Sequence, residues 1–573
     1  MLDWALLVLE FSGKGGFGQL PTRILLFQSP QLQELAAKHM HPQFGHTRRT
    51  SIRIKYVRGQ KEREFRISFS TIPLIKNFIN AICFANVTLH SQKEAAGITV
   101  KKNVDFSEWY IQVVLKTGLA DYTPVKGFIV LRPYGYAIWE SIREILDRRL
   151  KDTGHQNGFL PVLIPESLLT KEKDHFAGFT PEVFWVTKAG DRELDEKLAL
   201  RPTSETLAYS VFSKWITSYR NLPLKINFWN TALRAEIKST KPLIRTSEFL
   251  WQEGHTVHAT EQEAKEEVKM ILDIYKDLIE NYLAIPVITG YKSDREKFVG
   301  AEYTITLEGL MPVEGKALQM GTSHHLGQNF SKPFGIKYLG KDTREHFAWQ
   351  TSWGISWRLI GALIMLHGDD TGLILPPKIA PIQVVIVPIH KDRDVKSVME
   401  EANEIECELR RAGIRVYVDD RDEYTSGWKF YEWEMKGVPL RINIGPRDIE
   451  KQQVEFVRRD TKERKVIERV KLVELTNSLL AGVQDSLLSK AAKFLNENTF
   501  RPVDFQEFRS ILESRGGFIL AGWCGQEECE AKIKEETGAD IRVIPLYQKE
   551  EKPATCIYCG REGKKSALYA RAY

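Results

Sequence analysis

Apolar spacing divides the chain into stretches of different character. From Tyr134 to Leu150, the residues Ile138, Ile142, Ile145 and Leu146 share one helical face, and Gly154 follows as a stop signal. The short apolar run Phe159–Leu163, set among prolines, predicts a strand. Thr260 to Leu283 predicts a strong helix, because Thr260 and Glu263 form a capping box ahead of Val268, Ile271, Leu272 and Tyr275. Beyond Pro381 the pattern changes. Strand-like runs at Val384–Ile389, Ile414–Val418 and Val438–Ile444 alternate with a helix reaching Arg411, capped by Gly413, and a shorter one from Trp428 to Lys436. That alternation predicts a compact α/β domain with a mostly parallel core. Residues 480–573 read as a helical, cysteine-bearing module.

Charge separates off the amino-terminal stretch. The net charge is +6, yet residues 1–97 hold 13 Lys+Arg against 6 Asp+Glu, so the remainder is close to neutral. Eight basic residues crowd Arg48 to Arg66, among strand-like stretches at Ser51–Val57 and Phe65–Ile72. Three readings stay open for this stretch: a nucleic-acid-binding appendage, a solvated basic loop, or a segment outside the native domains. The first apolar run, Met1–Phe11, is too short to span a membrane and lacks a basic start, so the expected location is cytoplasmic. Six cysteines without an export signal argue against a disulfide framework. Four of them form two close pairs, Cys524/Cys529 and Cys556/Cys559, which suits a closed tetrahedral zinc site.

The densest chemistry lies between Arg201 and Arg358. It runs through Arg201-Pro-Thr-Ser-Glu205, Arg234-Ala-Glu236, Arg245-Thr246 and Phe249-Leu-Trp-Gln-Glu-Gly-His255. It continues through Gln319-Met-Gly-Thr-Ser-His-His325 and ends at Ser352-Trp-Gly354 to Arg358 with Gly361. Arginines in strand-like contexts, far apart in sequence, suit a polyphosphate, since a guanidinium offers a planar fork of donors and stays charged.

This ordered set resembles the class II aminoacyl-tRNA synthetases, and its wording is similar to the archaeal and eukaryotic type of prolyl-tRNA synthetase, from about Phe106 to Tyr573. Phe159-Leu-Pro161 resembles motif 1, Arg234 to His255 motif 2, and Gly354 to Gly361 motif 3. The resemblance implies an α+β fold. An antiparallel-sheet catalytic domain (98–380) would be followed by an α/β anticodon-binding domain (381–478) and a zinc module (479–573), after the extension 1–97. It implies ATP with Mg2+, L-proline and tRNA(Pro) as ligands, structural Zn2+, and a homodimer. Arg234 and Arg358 would be catalytic. Arg234, Glu236, Arg245, Thr246, Gln319, Thr322, Ser356 and Arg358 would bind ATP. Thr203, Glu205, Arg234, Trp251, Glu253, His255 and His324 would bind proline, and Cys524, Cys529, Cys556 and Cys559 the zinc. Ser356 stands where relatives often have threonine. The likeness continues at Asp419-Asp-Arg421, Gly427-Trp-Lys429-Phe, Gly437-Val-Pro-Leu-Arg441 and Gly445-Pro-Arg447, which belong to the anticodon-binding domain, and at the final Tyr573.

Only 65 residues separate Glu253 from Gln319, which leaves no space for the editing insertion of bacterial-type relatives. The threonyl enzyme, a neighbour in class IIa, needs a catalytic zinc. No cysteine lies between Cys83 and Cys407 to supply its usual ligand.

Overall fold

Local chemistry sets the first elements of the catalytic half. Helix α1 (Phe106–Lys116) starts where the Asp105 carboxylate accepts the Glu108 N–H at 3.0 Å, and it buries Trp109, Tyr110 and Val113. Helix α2 (Pro133–Asp152) opens on a proline, whose missing N–H costs nothing in a first turn. Its buried stripe holds Ile138, Ile142 and Leu146, three of the four residues expected there.

These elements come from a computed structural model that describes residues 97–175, 182–235, 240–391, 394–546 and 555–573, with only the backbone given for 171–175. Before Gly97 it describes four backbone strands, Leu7–Ser12, Ile24–Leu26, Thr50–Arg58 and Lys61–Phe69. They form one sheet, and the last two make an antiparallel hairpin. Residues 1–96 and 97–573 are separate units. The basic side chains of Arg48 to Arg66 lie outside the described residues.

The strand expected at Phe159–Leu163 is displaced. Strand β1 (Gln156–Gly158) precedes it, and Leu163–Pro165 pairs in a separate small sheet. Phe159 is 82% exposed, and the carbonyls of Leu160 and Pro161 accept the Arg201 guanidinium at 2.8 and 2.9 Å. Pro161 has no N–H to give a ladder, so an arginine takes up these carbonyls instead.

Helix α3 (Glu205–Trp215) leads to strands β2 (Leu224–Leu233) and β3 (Glu248–His258). Helix α4 (Glu261–Asp277) carries the predicted capping box: Glu263 N–H donates to Thr260 Oγ1 at 3.2 Å, and Thr260 N–H to Glu263 Oε2 at 3.3 Å. It continues through a π turn at Leu278–Tyr282. Strands β4 (Ile288–Tyr291), β5 (Tyr303–Met311), β6 (Lys316–Gly327) and β7 (Trp349–Ser356) follow, and helix α5 (Arg358–His367) closes this part.

The next domain is built from β8 (Val384–Pro388), α6 (Val395–Arg411), β9 (Val416–Val418), α7 (Ser426–Met435), β10 (Leu440–Ile444), β11 (Gln453–Arg458) and β12 (Arg464–Glu468). Its order is β9-β8-β10-β11-β12, parallel over the first three strands as the alternation predicts. Helix α8 (Leu472–Glu497) carries the chain away. The last stretch holds β13 (Thr499–Phe500), α9 (Phe505–Ser514), β14 (Phe518–Trp523), α10 (Glu527–Thr537), β15 (Asp540–Pro545) and β16 (Lys565–Ala570).

That final module is less helical than its sequence suggests. Its four strands extend the catalytic sheet into eleven, in the order β13-β14-β16-β15-β4-β5-β6-β7-β3-β2-β1. The seam pairs Gly290 with Pro545 and Tyr291 with Ile544. A Cβ on Gly290 would stand 2.2 Å from the Ile544 carbonyl oxygen, so the seam needs glycine there.

Candidate active site

Strand alternation selects the side chains that share the open face of β2, β3, β5, β6 and β7. On β3 the odd positions Trp251, Glu253 and His255 point to that face. The even ones pack behind it, where Gln252 accepts the Tyr275 hydroxyl at 2.6 Å. Directly opposed residues lie on one face, so the pairs Thr304↔His324, Thr306↔Thr322 and Glu308↔Gln319 bring Gln319, Thr322 and His324 together. A register shift between Leu307 and Glu308 takes up Met320 and keeps Gln319 on the same side as Thr322. Ser352, Gly354 and Ser356 of β7 oppose His255, Glu253 and Trp251.

One half of the face gathers guanidinium groups. Arg234 follows β2, donates Nε–H to Pro202 O at 3.2 Å, and lies over the Phe249 ring at 5.3 Å. Arg358 begins α5, where Nε–H donates to Ile244 O at 3.2 Å and Nη1–H to Gln319 O at 3.4 Å. Burial and then the positive charge of Arg234, with Arg245 adding to it, pull the Arg358 pKa down to about 10. Cations held this close raise each other's energy, so the cluster suits a multiply charged anion. Thr246 is buried and Arg245 exposed on the same loop. Thr246 Oγ1, Trp251 Nε1 and Ser352 Oγ are buried polar atoms without hydrogen-bond partners, each available to a ligand. Glu236 lies outside the described residues.

The other half is a carboxylate pocket. Thr203 Oγ1 donates to Glu205, and Ser204 Oγ donates to Glu253. Asn230 Nδ2 adds a bond to Glu253 at 3.1 Å, and His255 Nε2 lies 3.2 Å from its other oxygen. Burial opposes charging His255, but the hydrogen bond to Glu253 and the Glu205 charge win, so its pKa is raised. Two carboxylates facing one imidazole held toward its charged form leave a place for a cationic ligand. His324 sits between Thr304 Oγ1 (2.8 Å) and Thr322 Oγ1 (3.0 Å), against the Phe298 ring at 4.8 Å. Ser204, Tyr209, Asn230, Phe298 and Thr304 were not singled out from sequence. Asn230 and Thr304 become visible only once strand register is known. Tyr209, whose hydroxyl lies 3.1 Å from His255 Nδ1, falls one helical turn after Glu205.

His324 is pushed down to about 3, and His258 and His367 to about 4, in each case chiefly by burial. Their folded pKa values lie below the unfolded value of 6.5, so the unfolded chain binds protons more readily. Their contribution is complete above pH 6.5 and fades as pH falls toward 4, by up to about 1.4 kcal/mol per pH unit for each group. His255 has the opposite sign and offsets one of them. The melting temperature should therefore drop between pH 7 and pH 5, and His367→Asn should flatten the drop. A flat or rising profile in scanning calorimetry would contradict this.

Farther along the sheet, Tyr573 N–H donates to Ala317 O at 3.2 Å. Lys241, on the loop between β2 and β3, lies 5.3 Å from the Tyr573 ring. In the module, all four expected cysteine Sγ atoms lie within 4.8 Å of one another, with Cys524–Cys529 at 3.6 Å and Cys524–Cys559 at 3.8 Å. Arg561 donates to Cys559 Sγ at 3.3 Å and pulls that thiol down to about 6.

Comparison with known proteins identifies the family and its domains. The model of the tRNA synthetase class II core domain (G, H, P, S and T) matches residues 184–367, the anticodon binding domain 383–480, and the prolyl-tRNA synthetase C-terminal domain 505–573. The proline–tRNA ligase of Cenarchaeum symbiosum is 59% identical over 83% of this chain and 99% of its own length. The chain belongs to the prolyl-tRNA synthetases. A second relative in that family, the proline–tRNA ligase of Natranaerobius thermophilus, is 53% identical over 82% of this chain and 96% of its own. The crystal structure of prolyl-tRNA synthetase from Cryptosporidium parvum, complexed with halofuginone and AMPPNP, is 44% identical with a TM-score of 0.79. That match covers 83% of this chain and all of the other.

Proposed function

We infer that this chain activates L-proline with ATP, forming prolyl-adenylate and pyrophosphate, and then transfers proline to tRNA(Pro). The carrying observation is one sheet face that holds a convergent arginine cluster beside a carboxylate pocket. Arg234 stands between the two halves, through its contacts with Pro202 O and Phe249.

In the first step the proline carboxylate attacks the α-phosphorus directly, so no general base is required. Catalysis then rests on alignment and on offsetting charge that grows on the phosphorus oxygens. We assign that role to Arg234 and Arg358. Glu236, Arg245, Thr246, Gln319, Thr322 and Ser356 complete the nucleotide site, and Mg2+ accompanies ATP. Thr203 and Glu205 accept the N–H groups of the secondary ammonium, and Trp251, Glu253, His255 and His324 shape the slot for the apolar ring.

The four cysteines fit structural Zn2+. Tetrahedral bonds of about 2.3 Å place sulfurs about 3.8 Å apart, close to the spacing here. Bound there, the metal would cross-link the module. In the α/β domain, stacked Tyr424 and Trp428 (3.8 Å) with Arg421 offer a surface for splayed tRNA bases. We read the assembly as a homodimer and the location as cytoplasmic. No helix among the described residues is long and apolar enough to cross a membrane.

The test is ATP–pyrophosphate exchange with each of the twenty amino acids, on the full chain and on one starting at Gly97. Strong exchange with proline alone supports the reading. A folded protein without exchange would reduce it to a tRNA-binding relative.

A further inference from the structure

One buried side chain of the C-terminal module reaches the active face of the catalytic sheet. From β15, Arg542 Nη2 donates to the two Glu308 oxygens at 3.1 and 3.0 Å, and Nε to Oε2 at 3.2 Å. Lys292 Nζ donates to the same carboxylate at 2.7 Å, and Thr306 Oγ1 at 2.9 Å. Glu308 is wholly buried, and Lys292 and Arg542 are each 7% exposed. Glu296 comes no closer to Arg542 than 4.0 Å, and Lys534 lies 3.8 Å from it. Two buried cations thus share one wholly buried carboxylate, and Glu296 is their more distant counter-charge, since Lys534 is paired with Asp540 at 2.6 Å.

Sealing the seam does not require this buried ionic cluster. β4 and β15 already pair, and Leu310, Phe518, Val543 and Leu568 form an apolar cluster across the join. Burying ionised groups beside such a core is costly, and apolar side chains of similar volume would close the seam as well or better. The location suggests another use. Glu308 stands directly across from Gln319, whose carbonyl holds the Arg358 guanidinium.

We propose that Arg542 is a positioning residue for ATP: with Lys292 and Glu308 it sets the net charge beside Gln319 and Arg358, and so the attraction of the site for polyphosphate. The inference rests on the assignment of Arg234 and Arg358 as phosphate ligands. Glu308 and Arg542 both act on the Arg358 pKa, after burial and Arg234, so the charges are within electrostatic reach.

The test measures binding of ATP, AMP and adenosine to the full chain, with the KM for ATP in proline-dependent exchange. Arg542→Met lowers the local charge by one and should raise the ATP KM about threefold to tenfold. The loss should shrink for AMP and vanish for adenosine. Arg542→Lys keeps the charge and should stay near wild type. Combining Glu308→Gln with Arg542→Met restores the net charge and should recover most of the ATP affinity, which a purely structural role does not predict. Should Arg542→Met melt early, Lys292→Met makes the same charge change from the catalytic side and should give the same ligand order. Equal losses for all three ligands, or a double variant no better than the single, would overturn the proposal. An ATP KM unchanged by Arg358→Ala would instead sink the phosphate-site assignment.

Discussion

Arg234→Ala should cut proline-dependent ATP–pyrophosphate exchange by about two to three orders of magnitude, equivalent to about 3–4 kcal/mol for one preorganised donor. The magnitude follows from how the side chain is held. Its Nε–H is tied to Pro202 O and its guanidinium carbon lies 5.3 Å from the centre of the Phe249 ring, so it meets the substrate already oriented. The Arg358 charge beside it raises the cost of leaving the pair without an anion. Binding proline and ATP brings that anion, and the charge developing on the phosphorus oxygens meets donors that need not reorganise. Arg234→Lys keeps the charge but loses the planar fork, so it should recover only part of the rate. Unchanged melting with lost exchange would locate the effect in the transition state. Near-normal exchange by Arg234→Ala would remove Arg234 from the reaction.

Much of this site is legible in the sequence because strands write their faces with a period of two. Trp251, Glu253 and His255 alternate with Gln252 and Gly254, and the candidate site residues fall on the odd set. A Cβ on Gly254 would stand 2.0 Å from the Trp353 ring, so the even set is governed by packing. Helix α4 is equally plain, since its capping box is a local signal. What the sequence hides is long-range register. Nothing near Asn230 or Thr304 announces contacts with Glu253 or His324, and the shift at Met320 decides which neighbours share a face. The same blindness covers the C-terminal strands. Phe518–Trp523 and Asp540–Pro545 lie among helices and cysteines, and only the pairing of Asp540–Pro545 with Gly290 and Tyr291, relayed through β16, makes them part of the catalytic sheet. Pro161 misleads in another way, because an apolar run that cannot donate to a ladder gives its carbonyls to Arg201.

Cys556→Ser should reduce bound zinc from one per chain to none and lower the melting temperature of the final module before that of the rest. The Cys556–Cys559 turn meets the rest of the module through its thiols, facing Cys529 of α10 and Cys524 after β14, through a bridge of Cys556 with Gly522, and through Tyr558, which bonds Glu536 and packs on the Phe505 ring. A structural zinc is worth about 10–16 kcal/mol to small isolated peptides. Part of that is replaced here, because β14, β15 and β16 also pair with one another and with β4. The expected loss is therefore several kcal/mol, centred on the core of Phe508, Ile519, Trp523 and Tyr569. The consequence should reach the active face. Residues 571–573 follow β16 directly and hold Ala317 through Arg571 O and Tyr573 N–H, and Lys241 lies against the Tyr573 ring. When the module loosens, Lys241 loses that support and the loop bearing Arg245 loses order, so exchange should fall with zinc content. Metal analysis, limited proteolysis and exchange on the same samples would check the chain of effects. Full exchange and an unchanged melt in protein stripped of zinc would break it at its first link.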